Sequence, residues 1–196
     1  MKNLNNNLKT GFLSAAAILL ISLTLPSCNS SKPEETKEVA EEQNEEKFEN
    51  DKEDDAKFLV NAAEINLDEI KLGQLAQDRG TQSHVKELGK MMEAEHTKAQ
   101  TDLQALAAKK QITIPTTLTD DGMSANKKLM DTKASEFDKE YADMMVKGHK
   151  DAIAKFEKAS TNAEDMDIRN WAESMLPTLR MHLDNAIACQ KQCEKM

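Results

Sequence analysis

Hydrophobic residues recur every three or four positions from Ala56 onward, which is the spacing of an amphipathic helix. The first stripe ends at Gly80, a residue typical of helix C-termini. The second stripe follows Thr81 and Ser83, either of which can cap the start of a helix, and it ends near Lys110. The two stripes comprise Phe58, Ala62, Ile65, Glu69, Leu72 and Ala76, then Val85, Leu88, Met92, His96, Ala99, Leu103 and Leu106.

Residues 112–122 interrupt this spacing, and the sequence predicts a short helical piece over residues 123–133. A third long helix is predicted to start at Ser135-x-x-Asp138, which can cap it. A fourth is predicted to start at the capping box Thr161-x-x-Glu164. Pro177 predicts a kink in the fourth helix because proline removes an interior hydrogen bond. The stripes comprise Phe137, Tyr141, Met144, Met145, His149, Ile153 and Phe156, then Ile168, Trp171, Met175, Leu179, His182, Ala186 and Cys189.

These patterns predict an all-α fold, a ferritin-like four-helix bundle with a long connection between helices two and three. A connection of roughly 23 residues is long enough to cross the length of such a bundle. The composition agrees, since the chain has only six glycines, four prolines and seven aromatic residues. No strand-like alternation of useful length appears.

The N-terminus has the pattern of a secretory signal peptide over residues 1–27, with two lysines before an apolar run. The run of about 15 residues is short for a membrane-spanning helix. Leu25-Pro26-Ser27-Cys28 then resembles a bacterial lipobox, which implies lipidation of Cys28. An ordinary secreted protein with a stray cysteine is the alternative.

Residues 28–55 are strongly acidic and almost free of apolar side chains, which predicts a disordered, extended tether. The tether accounts for most of the net charge of −9. The predicted domain is therefore residues 56–196, and it is close to neutral. An acidic chain with few aromatic residues lacks the basic stripe and stacking platforms that nucleic acids need.

Three of the four histidines lie on the inward stripes of three different helices, and Glu69 lies on the stripe of the remaining one. One imidazole or carboxylate per helix is how bundles build metal sites. Ideal helix geometry places His96, His149, His182 and Glu69 within an axial spread of roughly 12 Å. Three interpretations stay open: a metal site, a hydrogen-bonded polar core without metal, and largely exposed groups.

Three imidazoles and one carboxylate would suit zinc, copper or iron, and the sequence does not choose among them. A ferritin di-iron centre needs two Glu-x-x-His motifs, and only Glu93-x-x-His96 occurs. Glu93, Glu95 and Tyr141 are the polar residues expected around the ligands.

The two C-terminal cysteines and the fourth histidine do not predict a functional site. Cys189 and Cys193 lie one helical turn apart, which is too far for an unstrained disulfide. We expect Cys189 to be buried, Cys193 to lie near the frayed chain end, and any bridge between them to be modest. His84 lies off the stripe, so we expect it on the surface. No catalytic triad or phosphate-binding glycine loop occurs, and no catalytic residue is predicted.

Four stretches together resemble the DUF4142 family, a group of bacterial envelope proteins named as a domain of unknown function. They are residues 67–76 (LDEIKLGQLA), 91–99 (MMEAEHTKA), 137–149 beginning FDKEY, and 176–183 (LPTLRMHL). The resemblance implies a secreted or membrane-attached ferritin-like bundle without an established activity. It maps the family's polar core pattern onto Glu69, His96, His149 and His182. Glu95 stands where the family often has aspartate.

Two functions therefore follow as hypotheses. The favoured one is a non-catalytic binding or stress-related lipoprotein module, attached to the outer membrane of the bacterial envelope through Cys28. The alternative is a metal-binding bundle that uses Glu69, His96, His149 and His182. Neither hypothesis names a protein partner, and neither requires an enzyme.

Overall fold

The computed structural model describes residues 36–48 and 51–195, which form six helices and no strand. They are α1 (Lys37–Lys47), α2 (Asp51–Arg79), α3 (Ser83–Lys110), α4 (Asp120–Asp131), α5 (Ala134–Asn162) and α6 (Met166–Cys193). The predicted all-α class and helical bundle are confirmed. Among these helices, none is both long and apolar enough to cross a membrane. The predicted signal peptide and Cys28 lie outside the described residues.

The four long helices form two antiparallel hairpins, α2–α3 and α5–α6, which are joined by residues 111–133. The first hairpin turns at Gly80, as predicted. The connection is the predicted long one, and it contains α4. This short helix begins at Asp120, three residues before the expected start, because the Thr119 hydroxyl caps it by accepting the Gly122 N–H at 3.2 Å.

Two buried aspartates fasten each hairpin to the turn of the other. Asp138, in the second turn of α5, accepts the N–H groups of Thr81 and Gln82 at 2.9 and 3.0 Å. Asp55, in the second turn of α2, accepts two backbone N–H groups of the α5–α6 turn at 3.1 and 2.8 Å. The start of each of these helices therefore lies beside the turn of the other hairpin, so α3 and α5 run parallel.

These bonds between hairpins replace the local caps that the sequence predicted for α3 and α5. Neither Thr81 nor Ser83 caps α3, whose N-cap is Gln82 without a side-chain bond. The Thr81 hydroxyl instead donates to Asp138 at 2.5 Å. Ser135 does not cap α5 either, because that helix already begins one residue earlier.

The start of α6 also differs from the prediction. Thr161 belongs to the last turn of α5, and Asp165 caps α6 by accepting two backbone N–H groups at 2.9 and 3.3 Å. The helix therefore begins at Met166, about one turn later than the predicted capping box implied. It continues through Pro177 without a break.

The prediction of a disordered tether is wrong for α1 and for the first turn of α2. Ala40 and Asn44 of α1 are buried at 0% and 3% exposure. The Asn44 side chain pairs with the backbone of Thr113, accepting its N–H at 2.8 Å and donating to its carbonyl at 2.7 Å. The segment folds onto the domain mainly through these polar bonds, which is why its hydropathy gave no sign of packing.

Helices α2 and α3 touch backbone to backbone at two glycines. A Cβ on Gly73 would lie 2.6 Å from the carbonyl oxygen of Gly89, and a Cβ on Gly89 would lie 2.7 Å from that of Gly73. Because carbon and oxygen cannot approach so closely, only glycine fits at either position. This contact fixes how near the two helices lie, just beyond Glu69 in α2.

The core consists of two hydrophobic clusters with a polar layer between them. One cluster surrounds Leu59, Leu103, Phe156 and Leu179 near the α5–α6 turn. The other surrounds Met92, Phe137, Met145 and Ala186 near the α2–α3 turn. The layer between the clusters is buried and contains Asn66, Glu69, His96, Gln100, His149 and His182.

Candidate metal centre

Each long helix contributes to the polar layer at the height where its hydrophobic stripe is interrupted. Glu69 comes from α2, His96 from α3, His149 from α5 and His182 from α6. The three histidines are 1–2% exposed and Glu69 is 6% exposed. The interpretation that these groups are exposed is therefore wrong.

The three imidazoles meet at the centre of the bundle. Their ring centroids are 5.7 Å apart for His96 and His149, 5.2 Å for His96 and His182, and 5.3 Å for His149 and His182. One nitrogen from each ring lies within 4.8 Å of the other two. Since metal–nitrogen distances are about 2 Å, small ring rotations bring all three nitrogens to one ion.

The hydrogen bonds of two rings set their tautomers for ligation. His96 Nδ1 lies 3.0 Å from Asn66 Oδ1, and His149 Nδ1 lies 2.9 Å from the carbonyl oxygen of Met145. Both partners are acceptors, so each Nδ1 carries the proton and each Nε2 presents a lone pair. Metal-ligating histidines have this arrangement, in which an outer acceptor fixes the ring.

The layer also contains buried polar atoms without a hydrogen-bond partner in the described part of the chain. They are Nε2 of His96, Nε2 of His149, both ring nitrogens of His182, Oε2 of Glu69 and Nε2 of Gln100, and the hydroxyl of the neighbouring Tyr141 is unpartnered too. Buried polar groups are nearly always satisfied, and leaving one unpaired costs about 1–3 kcal/mol. Several such atoms in one layer make it a candidate site for an ion or a polar ligand.

Burial keeps the imidazoles neutral, which is the form that binds metal. Burial lowers the pKa of His182 to about 4, with a further contribution from His149. It also lowers the pKa of His96 well below its usual range and lowers that of His149. Burial, followed by the charge of Asp68, raises the pKa of Glu69 to about 8.

Glu69, the predicted fourth ligand, lies beside the group of three imidazoles and is not a member of it. Its Oε1 is 3.7 Å from His149 Nδ1, the nitrogen that donates to the carbonyl oxygen of Met145. At neutral pH neither partner is charged, given their shifted pKa values, so this is a neutral contact. Tyr141 is fully buried nearby, and its pKa is raised by burial and then by Glu69 and Cys189.

The two other acidic residues expected around the ligands do not reach them. Glu93 accepts hydrogen bonds from Gln74 at 2.9 Å and Gln77 at 2.7 Å, on the outer side of the α2–α3 pair. Glu95 is half-buried, and no hydrogen bond or ion pair among the described residues joins it to the layer.

The sequence interpretation missed the residues that hold His96 in place. Asn66 accepts from His96 and donates from Nδ2 to Gln100 Oε1 at 3.2 Å. The signal was present, since Asn66 lies three positions before Glu69 and Gln100 lies four positions after His96. A polar residue one helical turn from a ligand position is a candidate for its outer partner.

A second group of potential ligands was also missed. His84 Nε2 lies 3.5 Å from Cys193 Sγ, and with Cys189 these atoms lie within 4.8 Å of one another. His84, which was expected on the surface, is half-buried, and its ring contacts Cys193 at the end of α6. Cys189 is buried, as expected, and Cys193 is buried too. The two thiols are free.

A family model described as "Domain of unknown function (DUF4142)" matches residues 37–189. The match begins with α1 and includes all four residues of the polar layer that the sequence had singled out. No curated protein and no solved structure matches the chain significantly.

Proposed function

Since this chain belongs to the DUF4142 family, whose description assigns no activity, we propose a function from its polar layer. The domain binds one transition-metal ion through His96, His149 and His182. One observation carries the proposal: one nitrogen from each buried ring lies within 4.8 Å of the other two, and each ring has at least one nitrogen without a hydrogen-bond partner among the described residues. A single cation would satisfy all three lone pairs together.

The support for a metal over a polar core without metal comes from the direction of the hydrogen bonds. In a self-satisfied core network the rings would donate and accept among themselves. Here His96 and His149 donate outward from Nδ1, to Asn66 and to the Met145 carbonyl, and both Nε2 atoms remain unpaired. Three imidazoles without thiolate suit zinc, copper or iron, with a coordination position left for water or another ligand.

Binding or storage of the ion suits this site better than ferritin-like oxidation. The only Glu-x-x-His motif of the chain ends in His96, but its Glu93 is held by Gln74 and Gln77 away from the layer. A di-iron centre requires two such motifs with inward carboxylates. We therefore propose a non-catalytic, metal-binding module.

The proposed place of action is the outer membrane of the bacterial envelope, with the domain attached through a lipid on Cys28. The support is the sequence Leu25-Pro26-Ser27-Cys28 behind an apolar run. Replacing Cys28 with serine should abolish incorporation of labelled fatty acid and leave residues 1–27 attached. A wild-type chain that takes up no label would contradict the anchor, and so would a Cys28→Ser chain that is still labelled.

The metal proposal is tested by elemental analysis of the full-length chain, purified in detergent without chelators or affinity-tag metals. The Cys189→Ser/Cys193→Ser background removes metal bound to thiols. We expect about one ion per chain, lost in His96→Ala and in His182→Ala, because a three-ligand site does not survive with two ligands. Glu93→Ala is the matched control and should keep its metal.

Two results would contradict the metal proposal. One is a metal-free chain that takes up no zinc, copper or iron on titration. The other is metal retained when all three histidines are replaced. In either case the histidines would be polar core residues, and their loss would lower stability alone.

A further inference from the structure

A second cluster of ligating side chains lies near the α2–α3 turn, where the first turn of α3 meets the last turns of α6. His84 is the second residue of α3, and Cys189 and Cys193 lie one turn apart at the end of α6. A ring nitrogen of His84 and the two sulfur atoms lie within 4.8 Å of one another, and His84 Nε2 is 3.5 Å from Cys193 Sγ. We propose that these three residues form a second metal site, specific for a soft closed-shell cation, Cu(I) or Zn(II).

The donor set supports a soft cation. Two cysteines and one imidazole are typical ligands of zinc and Cu(I), whereas magnesium, calcium and manganese prefer oxygen. Met91 lines the same surface pocket as His84 and Cys189, so a thioether is available as an additional soft donor. Chemically, the second site differs from the central layer, whose converging ligands are imidazoles alone.

A disulfide explains the two cysteines less well. The pair lies within a regular helix, where residues four apart are too distant for an unstrained bridge. Both thiols are free and buried, at 4% and 8% exposure, and such cysteines are poor nucleophiles. His84 approaches Cys193 from another helix, which a disulfide would not require but a shared ion would.

The test uses the full-length chain carrying Cys28→Ser, which leaves only the two C-terminal thiols. Reduced protein is titrated anaerobically with Cu(I) against a chromophoric Cu(I) chelator, and separately with Co(II) as a spectroscopic probe for zinc. We expect one tightly bound Cu(I), or a sulfur-to-cobalt charge-transfer band in the near ultraviolet. In a chain that also lacks the three central histidines, and so cannot bind copper there, either signal should disappear in Cys189→Ser and in Cys193→Ser, and weaken in His84→Ala. The ion that gives the tight signal distinguishes copper from zinc.

The His96→Ala/His149→Ala/His182→Ala variant is the matched control, because it removes the central layer and leaves the thiols. It should keep the signal, so the failure of one site is distinguishable from the failure of the other. Far-ultraviolet circular dichroism checks that the serine variants, which preserve side-chain shape, remain folded. The proposal is overturned if the wild-type thiols, shown reduced by mass spectrometry, give no signal. It is also overturned if, in the variant that lacks the three central histidines, the signal survives when both cysteines are serine.

Discussion

Asn66 determines how His96 presents itself to the centre of the bundle. Its carbonyl oxygen accepts the Nδ1 proton of the ring, and its amide donates to Gln100, which fixes the orientation of the asparagine. The Nε2 of His96 therefore carries a lone pair, which has no hydrogen-bond partner among the described residues. Such outer partners typically change metal affinity by about 10–100-fold when they are removed.

Asn66→Leu should weaken metal binding by about 10–100-fold with the three ligands still in place. The reason is that the His96 ring loses the acceptor that fixes its tautomer and orientation. Competition with a metal-specific chelator measures the change. Asn66→Asp keeps an acceptor for Nδ1 and should retain tight binding, and equal affinity in the leucine and wild-type chains would contradict the assigned role.

Asp68 should make the metal-free protein less stable as the pH rises. Burial, then the neighbouring carboxylates Glu64 and Asp121, raise its pKa from 3.8 to about 7, with Lys37 opposing the shift. Between these two values the folded chain holds a proton that the unfolded chain releases, so the free energy of unfolding decreases through this window. The loss is complete above about pH 7.

Asp68→Asn, which cannot ionise, should remove this part of the pH dependence. Urea denaturation across the same window, in the presence of a chelator, gives the difference between the variant and the wild type. The variant should gain relative stability as the pH rises from 3.8 to about 7 and hold it beyond. A difference that is constant with pH, or that has the opposite sign, would rule out a raised pKa at this carboxyl.

At the scale of helices, periodicity was sufficient to find the four long elements, but local motifs misassigned the caps at the starts of α3, α5 and α6. Thr81 and Asp138 both looked like local caps, yet they bond to each other across the two hairpins. The predicted capping box Thr161-x-x-Glu164 does not cap α6, because the carboxylate of Asp165 caps that helix instead. Such choices depend on tertiary partners, which a local motif does not contain.

The misplaced start of α6 also explains why the estimated axial spread was too large. His149 lies thirteen residues before the end of α5, and His182 lies sixteen residues after the start of α6. The two are therefore within about 5 Å of the same height along the hairpin. The predicted capping box placed the start of α6 about one turn too early, which added about one turn to the estimated axial separation of His149 and His182.

The close approach of α2 and α3 makes Gly89 irreplaceable. Gly89→Ala should lower the free energy of unfolding by about 1–3 kcal/mol, because the new methyl group would overlap the Gly73 carbonyl. Helix propensity alone would stabilise the alanine variant by up to about 1 kcal/mol, so the sign of the effect is diagnostic. Chemical denaturation measures it, and a stabilised variant would contradict the contact.

Gly148→Ala is the matched control for this contact. The new methyl group would meet only the flexible end of Glu69, at 3.2 Å. We therefore expect a smaller cost than at Gly89, where the obstacle is backbone.

At the scale of the whole molecule, the central layer joins the two hairpins. Its imidazoles come from α3 in one hairpin and from α5 and α6 in the other. A cation bound there stabilises the folded chain by about 2.7 kcal/mol at a hundred times its dissociation constant. In a Cys189→Ser/Cys193→Ser background, which removes the thiol site, the melting temperature should therefore rise with metal concentration and return to its initial value with a chelator. In the same background it should stay constant when all three central histidines are replaced. A metal-independent wild-type melting temperature would contradict the layer as a binding site.

The sequence predicted which residues would form this layer better than it predicted their contacts. The stripes selected His96, His149 and His182 because the period of a helix fixes which side chains point inward. They could not place Glu69 at the margin, since that depends on helix rotation and crossing. The proximity of His84 to Cys193 was unpredictable for the same reason, as 109 positions separate them in the chain.

The docking of α1 shortens the linker that would join the domain to a lipid anchor on Cys28. If residues 28–55 were an open spacer, the domain could range up to about 95 Å from the bilayer. With α1 packed against α2 and Thr113, only residues 29–36 separate Cys28 from the folded part, a reach of about 29 Å at full extension. The domain would then stay close to the membrane surface, within the reach of this short linker. It would encounter ions and partners as they cross or leave that surface.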